Sequence, residues 1–327
     1  MKKFRRLLLQ IAIGIVLCII LMELAYRNQW WDFYATEWEH FNQGILGEKA
    51  EGDVLVMGDS FSTSDRGYVE QLRDSFPDWK IANGAVPGTG IQEANYMASR
   101  RFSQCQPKAF IYQIYLGNDL FDLERPVNWG QLGFFRNLYW WSANRLRSLA
   151  WINYKSGQLQ AAPTADGKGA EESFAPERYN QREKRYFSAD PAWMQGQANV
   201  NNEDWEDIRE WYTDRLQDLL EYPQEVGART LILIIPHCVQ LGNPYRNRME
   251  AIGMHSGDIN PANEHALVRA IRKLAESRPN TDIIYPVREL AEAEVQQGPV
   301  YFQNDPHLNP HGQKVIAKLV GNWLKNP

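Results

Sequence analysis

From residue 53 onward, short apolar runs alternate with longer stretches of helical periodicity. Five of the runs are nearly continuous rather than alternating, which is typical of strands buried on both faces of a parallel sheet. The predicted strands are Asp53–Gly58, Lys80–Ala85, Ala109–Leu116, Arg229–Pro236 and Thr281–Pro286. The predicted helices are Gly67–Ser75, Gln92–Phe102, Asp204–Tyr222, Asn263–Glu276 and Gln313–Trp323. This alternation predicts an α/β fold, a flavodoxin-like three-layer α/β/α sandwich with a parallel sheet of about five strands.

The N-terminus follows a different pattern, in which a basic head precedes a long apolar run. The head contains Lys2, Lys3, Arg5 and Arg6. The run Leu7–Met22 is interrupted only by Gln10, and a helix of this length spans about 24–28 Å, enough for a thin bilayer. A cleaved signal peptide is the alternative, but no small-x-small cleavage pattern follows the run.

We therefore predict an uncleaved transmembrane anchor over residues 1–28, with residues 7–25 in contact with the membrane. The basic head is expected to stay in the cytoplasm, which leaves the remainder of the chain outside it. In a Gram-negative cell that compartment is the periplasm.

One connection is much longer than a turn requires. Residues 120–203 separate the third predicted strand from the helix before the fourth. Its first part is rich in aromatic residues and is expected to form helices around Leu138–Ile152, whereas residues 161–172 have a composition typical of disorder. We interpret this insertion as a cap or lid near a site. A helical extension that only pads the core is the alternative.

Composition narrows the range of functions. The net charge is −5, and no Lys/Arg-dense stretch follows the N-terminal head, so the electrostatic pattern of a nucleic-acid binder is missing. The six histidines are not spaced as metal ligands are, so the sequence predicts neither a metal nor another cofactor. Cys105 and Cys238 fall at opposite ends of neighbouring parallel strands, too far apart for a disulfide, so we predict free thiols.

Four polar segments follow predicted strands or precede the last helix: 58–62, 83–90, 117–119 and 304–312. Each has an ordinary explanation on its own, as a helix cap, a turn, or a capping Asp beside a chance histidine. Because the carboxyl ends of parallel strands meet at one edge of a sheet, we expect the four segments to converge there.

The four segments, in this order along the chain, resemble the motifs of the SGNH (GDSL-like) hydrolase superfamily. With its predicted anchor, the chain resembles a membrane-anchored extracytoplasmic branch of that superfamily. Ser60 matches the family nucleophile in the GDS motif, and Asn118 matches the third-block asparagine. Gly88 matches the second-block glycine, with Gly84 as the alternative. The resemblance covers residues 58–312 apart from the insertion, so residues 29–327 are predicted to form one hydrolase domain interrupted by residues 120–203.

The last block matches at His307 and departs from the usual pattern at the carboxylate. The usual spacing is Asp-x-x-His, which would put the carboxylate at Asn304. Asp305 gives Asp-x-His instead, a spacing that also occurs in relatives with a His-Leu-Asn sequence. Among the other histidines, His311 is expected at the surface. His237, with Cys238, either lines the pocket or packs at a buried strand end.

The resemblance implies a serine esterase that works through acyl transfer. His307 would remove the proton of Ser60, and Asp305 would orient His307. The backbone N–H groups of Ser60 and Gly88, with the Asn118 side chain, would form the oxyanion hole. Two alternatives use the same fold: an O-acyltransferase acting on an exopolysaccharide, and a non-catalytic binding module.

The expected substrates are short, acetyl-like esters carried on a saccharide of the cell envelope. A membrane-anchored domain outside the cytoplasm meets such esters, and aromatic rings can stack on sugars. The same rings also suit a lipid interface, so they do not separate the two surroundings. The aromatic residues of the insertion concerned are Trp129, Phe134, Phe135, Tyr139, Trp140, Trp141 and Trp151.

Overall fold

The structure, a computed structural model, describes residues 2–45, 52–123, 133–160, 173–181, 184, 205–254 and 264–326. The chain forms two compact units. The first comprises residues 1–36 and 127–164, and the second comprises residues 37–126 and 165–327. Residues 161–172, for which disorder is predicted, lie outside the described residues. So does Trp129, one of the aromatic residues predicted to contact a substrate.

The second unit is built on a five-stranded parallel sheet with the strand order β2-β1-β3-β4-β5. The strands are β1 (Val54–Met57), β2 (Ile81–Asn83), β3 (Ala109–Tyr115), β4 (Arg229–Ile235) and β5 (Thr281–Ile284). Every residue of β1, β2 and β3 is buried, as the continuous apolar runs predict. The chain reverses its direction of winding between β1 and β3, which creates a switch point at the carboxyl edge.

Helices cover both faces of this sheet, so the predicted three-layer α/β/α class is confirmed. Five helices match the predicted ones: α3 (Tyr68–Ser75), α4 (Ile91–Cys105), α8 (Glu206–Glu225), α10 (Ala266–Glu276) and α12 (Pro310–Lys325). Helix α3 packs against α12, and α4 packs against α8. Four further helices among the described residues were not predicted: α2 (Ala35–Phe41), α5 (Asp119–Leu123), α9 (Asn243–Ala251) and α11 (Val287–Gln297).

Two cysteines lie in the core of this unit as free thiols, as predicted. Cys105 ends α4, and Cys238 follows β4. Both side chains are buried, and burial raises the pKa of the Cys105 thiol to about 12. The Cys105 thiol is therefore protonated and inert at neutral pH.

In the described residues, the first unit contains three α-helices: α1 (Lys2–Arg27), α6 (Phe134–Arg145) and α7 (Arg147–Gln160). The helices predicted around Leu138–Ile152 are confirmed. Within the described part of the chain, the segment Lys3–Arg27 is the one helix long and apolar enough to cross a membrane. Its retention as an uncleaved anchor remains a prediction.

Glu23, near the end of α1, joins α1 to α7. Its carboxylate accepts hydrogen bonds from the backbone N–H groups of Arg147 and Ser148, from the Ser148 hydroxyl and from Arg27. These donors compensate for the burial of a charged side chain in the first unit.

Candidate active site

The segment after β1 turns sharply against β3. A Cβ atom on Gly58 would lie 2.6 Å from Oε1 of Gln113 and 3.0 Å from its carbonyl oxygen, so a side chain does not fit here. Asp59 then caps a short 3₁₀ helix, Ser60–Ser62, by accepting a hydrogen bond from the Phe61 N–H at 2.9 Å. The half-buried Ser60 therefore opens this helix at the carboxyl edge of the sheet.

Two buried glutamines hold the backbone around Ser60. Oε1 of Gln113 accepts hydrogen bonds from the Asp59 N–H at 3.1 Å and from the Ser62 hydroxyl at 2.9 Å. Gln313, on α12, donates to the Phe61 carbonyl at 3.3 Å. The sequence analysis missed both residues, although an amide in the middle of the apolar strand AFIYQIYL was a usable signal.

The loop that carries His307 connects α11 to α12 and is held by backbone pairing. Tyr301 and Leu308 form an isolated antiparallel bridge, and the Phe302 N–H donates to the His307 carbonyl at 3.0 Å. Asn309 caps α12, its side chain accepting from the Gly312 N–H at 3.0 Å. The loop is therefore tied at both ends, which limits the movement of the imidazole.

Ser60, His307 and Asp305 form a continuous hydrogen-bonded chain. The Ser60 hydroxyl lies 2.7 Å from Nε2 of His307. Nδ1 of His307 bonds to Oδ1 of Asp305, which also accepts the backbone N–H of His307 at 3.0 Å. A proton held on Nδ1 by the carboxylate leaves Nε2 as the acceptor for the hydroxyl. This connectivity is that of a nucleophile, a general base and an orienting group.

The Asp305 carboxylate is ionised at neutral pH. Burial raises its pKa, but hydrogen bonds from the His307 ring and from Asn180, together with the charge of the imidazolium, outweigh burial and hold the pKa below its usual range. The His307 and Asp305 side chains are 30% and 37% exposed, so solvent and small molecules reach the pair.

Asn304 has a different set of partners. Its side chain accepts from the Ala175 N–H at 2.8 Å and donates to the Ser173 carbonyl at 3.2 Å. Hence the residue at the usual Asp-x-x-His position faces residues 173–181, while Asp305 faces the imidazole. Asn180, from that segment, donates to Oδ2 of Asp305 at 3.0 Å. Sequence analysis could not find this contact, because 125 residues separate its partners.

The segment after β2 lies against the Ser60 loop. The Val86 N–H donates to the Gly58 carbonyl at 3.0 Å, and the Asn83 side chain donates to the Ser62 carbonyl at 2.8 Å. Gly88 has φ +70°, a left-handed backbone conformation that favours glycine. The Gly84 N–H is already bonded to the Val56 carbonyl at 2.7 Å, which leaves Gly88 as the better-suited donor to a ligand.

Asn118 is half-buried directly after β3. Its side chain lies near Asp59, whose carboxyl is buried. Burial raises the pKa of Asp59, and the Phe61 N–H, the charge of His307 and the amides of Gln113 and Asn118 act in the opposite direction. Asn118 therefore lies in the same cluster as Ser60 and His307.

Two further histidines have other partners. His311 lies near the Pro299 carbonyl, with Nδ1 at 3.4 Å from the oxygen. His237 is buried after β4, and its Nδ1 accepts the Val239 N–H at 3.3 Å as a helix cap. Burial, with a contribution from His265, lowers the pKa of His237 to about 4, so its ring is neutral at physiological pH. Of its two predicted roles, strand-end packing agrees with these contacts.

No family model matches this chain, and no curated protein matches it. Similar solved structures include TesA, which is 14% identical, covers 83% of this chain and 97% of its own, and has a TM-score of 0.39. An acetyl xylan esterase, AlAXEase, is 13% identical, covers 84% and 100%, and has a TM-score of 0.41. The esterase EstA from Pseudoalteromonas sp. is 13% identical, covers 84% and 98%, and has a TM-score of 0.34. All three TM-scores are below 0.5, so these likenesses assign no function to the site.

Proposed function

We propose that this chain is a serine ester hydrolase of the SGNH (GDSL-like) type that acts through an acyl-Ser60 intermediate. The observation that carries the proposal is the 2.7 Å contact of the Ser60 hydroxyl with His307, whose other nitrogen bonds to Asp305. A half-exposed serine in this arrangement can be deprotonated as it attacks. A binding module has no need of that hydrogen-bonded chain, which speaks against the non-catalytic alternative.

In the proposed reaction, His307 accepts the Ser60 proton as Oγ attacks the ester carbonyl carbon. The oxyanion is stabilised by the backbone N–H groups of Ser60 and Gly88 and by the Asn118 side chain. His307 then protonates the leaving alcohol, and the C–O bond of the ester breaks. Water, deprotonated by the same imidazole, hydrolyses the acyl-enzyme. Asp305 remains ionised and stabilises the imidazolium.

The proposed substrates are short, acetyl-like esters on a saccharide. A site on open strand ends suits a short acyl group attached to a bulky alcohol. The test is a series of aryl esters from two to twelve carbons, with Ser60→Ala as the blank. Turnover should fall beyond short acyl groups. Turnover that climbs with chain length would indicate a lipase or thioesterase pocket, and the glycan substrate would then be abandoned.

Transfer of the acetyl group to a sugar hydroxyl is the second candidate, because an Asp-x-His spacing also occurs in extracytoplasmic transferase relatives. Hydrolysis and transfer use the same residues up to the acyl-enzyme. An activated acetyl ester supplied with and without an acceptor glycan separates them. An acetylated glycan that accumulates faster than free acetate would assign a transferase.

We also propose that α1 is an uncleaved anchor with the catalytic unit outside the cytoplasm. A reporter fused after residue 327 should be active only outside the cytoplasm, and carbonate washing should leave the chain in the membrane fraction. Release of a shortened soluble form would show instead that the segment is a cleaved signal.

A further inference from the structure

Helix α6, in the first unit, carries an exposed apolar face. Phe134, Leu138 and Trp141 fall at i, i+4 and i+7, on one side of the helix, and are 73%, 49% and 48% exposed. Phe135, beside them, is 83% exposed. Contiguous apolar side chains exposed in this way mark an interaction surface.

The end of α6 lies next to the end of α1. Arg27, which ends α1, donates a hydrogen bond to the carbonyl of Arg145, which ends α6, at 3.1 Å. The apolar side chains of α1 from Leu7 to Leu21 are exposed along its length. Trp30 and Trp31 follow α1 directly and are 60% and 51% exposed. Trp30 and Trp31 therefore lie just after the point where α1 would leave a bilayer, the depth that Trp prefers.

We infer that the exposed face of α6 binds the lipid bilayer at the level of the headgroups, as an interfacial helix beside the transmembrane α1. The inference rests on the proposal that α1 spans a membrane. A lipid surface suits the face better than a glycan, because its side chains are apolar and belong to the same unit as the apolar α1, whereas a sugar site needs convergent polar groups. The Arg145 guanidinium, 4.3 Å above the Trp141 ring, can reach lipid phosphates.

The test uses the full chain, reconstituted into vesicles of phosphatidylcholine and phosphatidylglycerol, with a nitroxide on Phe135→Cys in a Cys18→Ala background. Cys105 and Cys238 are buried and do not compete for the label. Leu17→Cys, on α1, is the lipid reference, and Val295→Cys, an apolar position 87% exposed in the other unit, is the matched water reference.

Collisions with oxygen should exceed those with a nickel chelate at Phe135→Cys, as at Leu17→Cys and unlike Val295→Cys. A water-like signal at Phe135→Cys with a lipid-like signal at Leu17→Cys would overturn this inference alone. Water-like signals at both would refute the span as well. Protection of the label from the nickel chelate that appears only when a soluble glycan is added would assign the face to a sugar. Protection that appears only at a high protein-to-lipid ratio would assign it to a second copy of the chain.

A different observation concerns the second unit, where part of the insertion holds the loop that contains Asp305. The Asn180 side chain donates to Oδ2 of Asp305 at 3.0 Å, and its backbone N–H donates to the Asn304 carbonyl at 2.9 Å. The Asn304 side chain bonds back to Ser173 and Ala175. One carboxylate oxygen is thereby occupied by Asn180, which leaves Oδ1 directed at the imidazole.

We propose that Asn180 is a positioning residue for the general base, acting through Asp305. This proposal rests on the proposed function. Asn180→Ala removes one hydrogen bond to a charged group, so kcat should fall about 10- to 100-fold with little change in KM. Asn180→Asp, of equal size, adds a like charge beside Asp305. That charge raises the pKa values of the Asp305–His307 pair, so the acid limb of the kcat profile should move to higher pH.

Gln181→Ala is the matched control, since among the residues that the structure describes that side chain donates within its own segment, to the carbonyls of Glu177 and Tyr179. It should keep the wild-type kcat and pH profile. Wild-type kcat and an unmoved acid limb in both Asn180 variants, with Ser60→Ala inactive, would overturn the role of Asn180 alone. A folded Ser60→Ala variant that keeps full activity would instead refute the proposed function.

Discussion

The loop around His307 and the turn around His237 both place a histidine at the carboxyl edge of the sheet. The surroundings of the two imidazoles differ. His307 is 30% exposed, and its nitrogens face a carboxylate and a hydroxyl. His237 is 5% exposed, and its Nδ1 accepts a backbone N–H. Position at a strand end therefore does not decide whether a histidine can act as a general base. That role depends on the groups that face its two nitrogens and on its access to solvent.

The most severe test of this comparison removes the reacting pair. Ser60→Ala should lower kcat by about 10⁵–10⁶, and His307→Ala should do nearly the same, because nucleophile and base act as a unit. Hydrolysis of a short aryl ester measures the loss, and circular dichroism checks that each variant is folded. A folded Ser60→Ala enzyme with wild-type turnover would end the assignment.

The second test asks whether the carboxylate facing His307 is what sets it apart. Asp305→Asn should lower kcat by about 10⁴ at neutral pH, because an amide neither holds the correct tautomer nor stabilises the imidazolium. Asn304→Ala is the neighbouring control and should have a much smaller effect, since Asn304 faces Ser173 and Ala175. If the two variants exchanged effects, the Asp-x-His interpretation would be wrong.

The smallest effect on turnover is expected at the other histidine. His237→Asn should leave kcat within about threefold, because asparagine also accepts the backbone N–H of a helix cap. Its effect is on stability. The unfolded ring takes up a proton near pH 6.5 and the folded one near pH 4, so the free energy of unfolding falls as pH drops through that window.

Integrated over that window, the fall in the free energy of unfolding is about 3 kcal/mol for the wild type, and it is missing in His237→Asn. Urea unfolding at pH 7 and pH 4.5 measures the difference, with His311→Asn as the control histidine. An equal pH dependence in wild type and His237→Asn would show that His237 is not held neutral by burial.

Local pattern predicted the sheet well, because each buried strand needs its own apolar run. Both ends of the β1 and β5 predictions fell within two residues of the observed strands. Of the helices that were missed, α11 makes little contact with the core: it fully buries only Leu290. The predicted cap over the site stays a prediction, while residues 173–181 are found in contact with the loop that contains Asp305.

The sequence by itself determined the parallel sheet, the apolar α1, and Ser60 and His307 as candidates, since each depends on a few neighbouring residues. The tertiary structure decided which partners those residues have. The hydrogen bonds between Gln113 and the Ser60 loop and between Asn180 and Asp305 join positions more than fifty residues apart. Such contacts follow from how separate segments pack against one another, and no periodicity within a single segment encodes them.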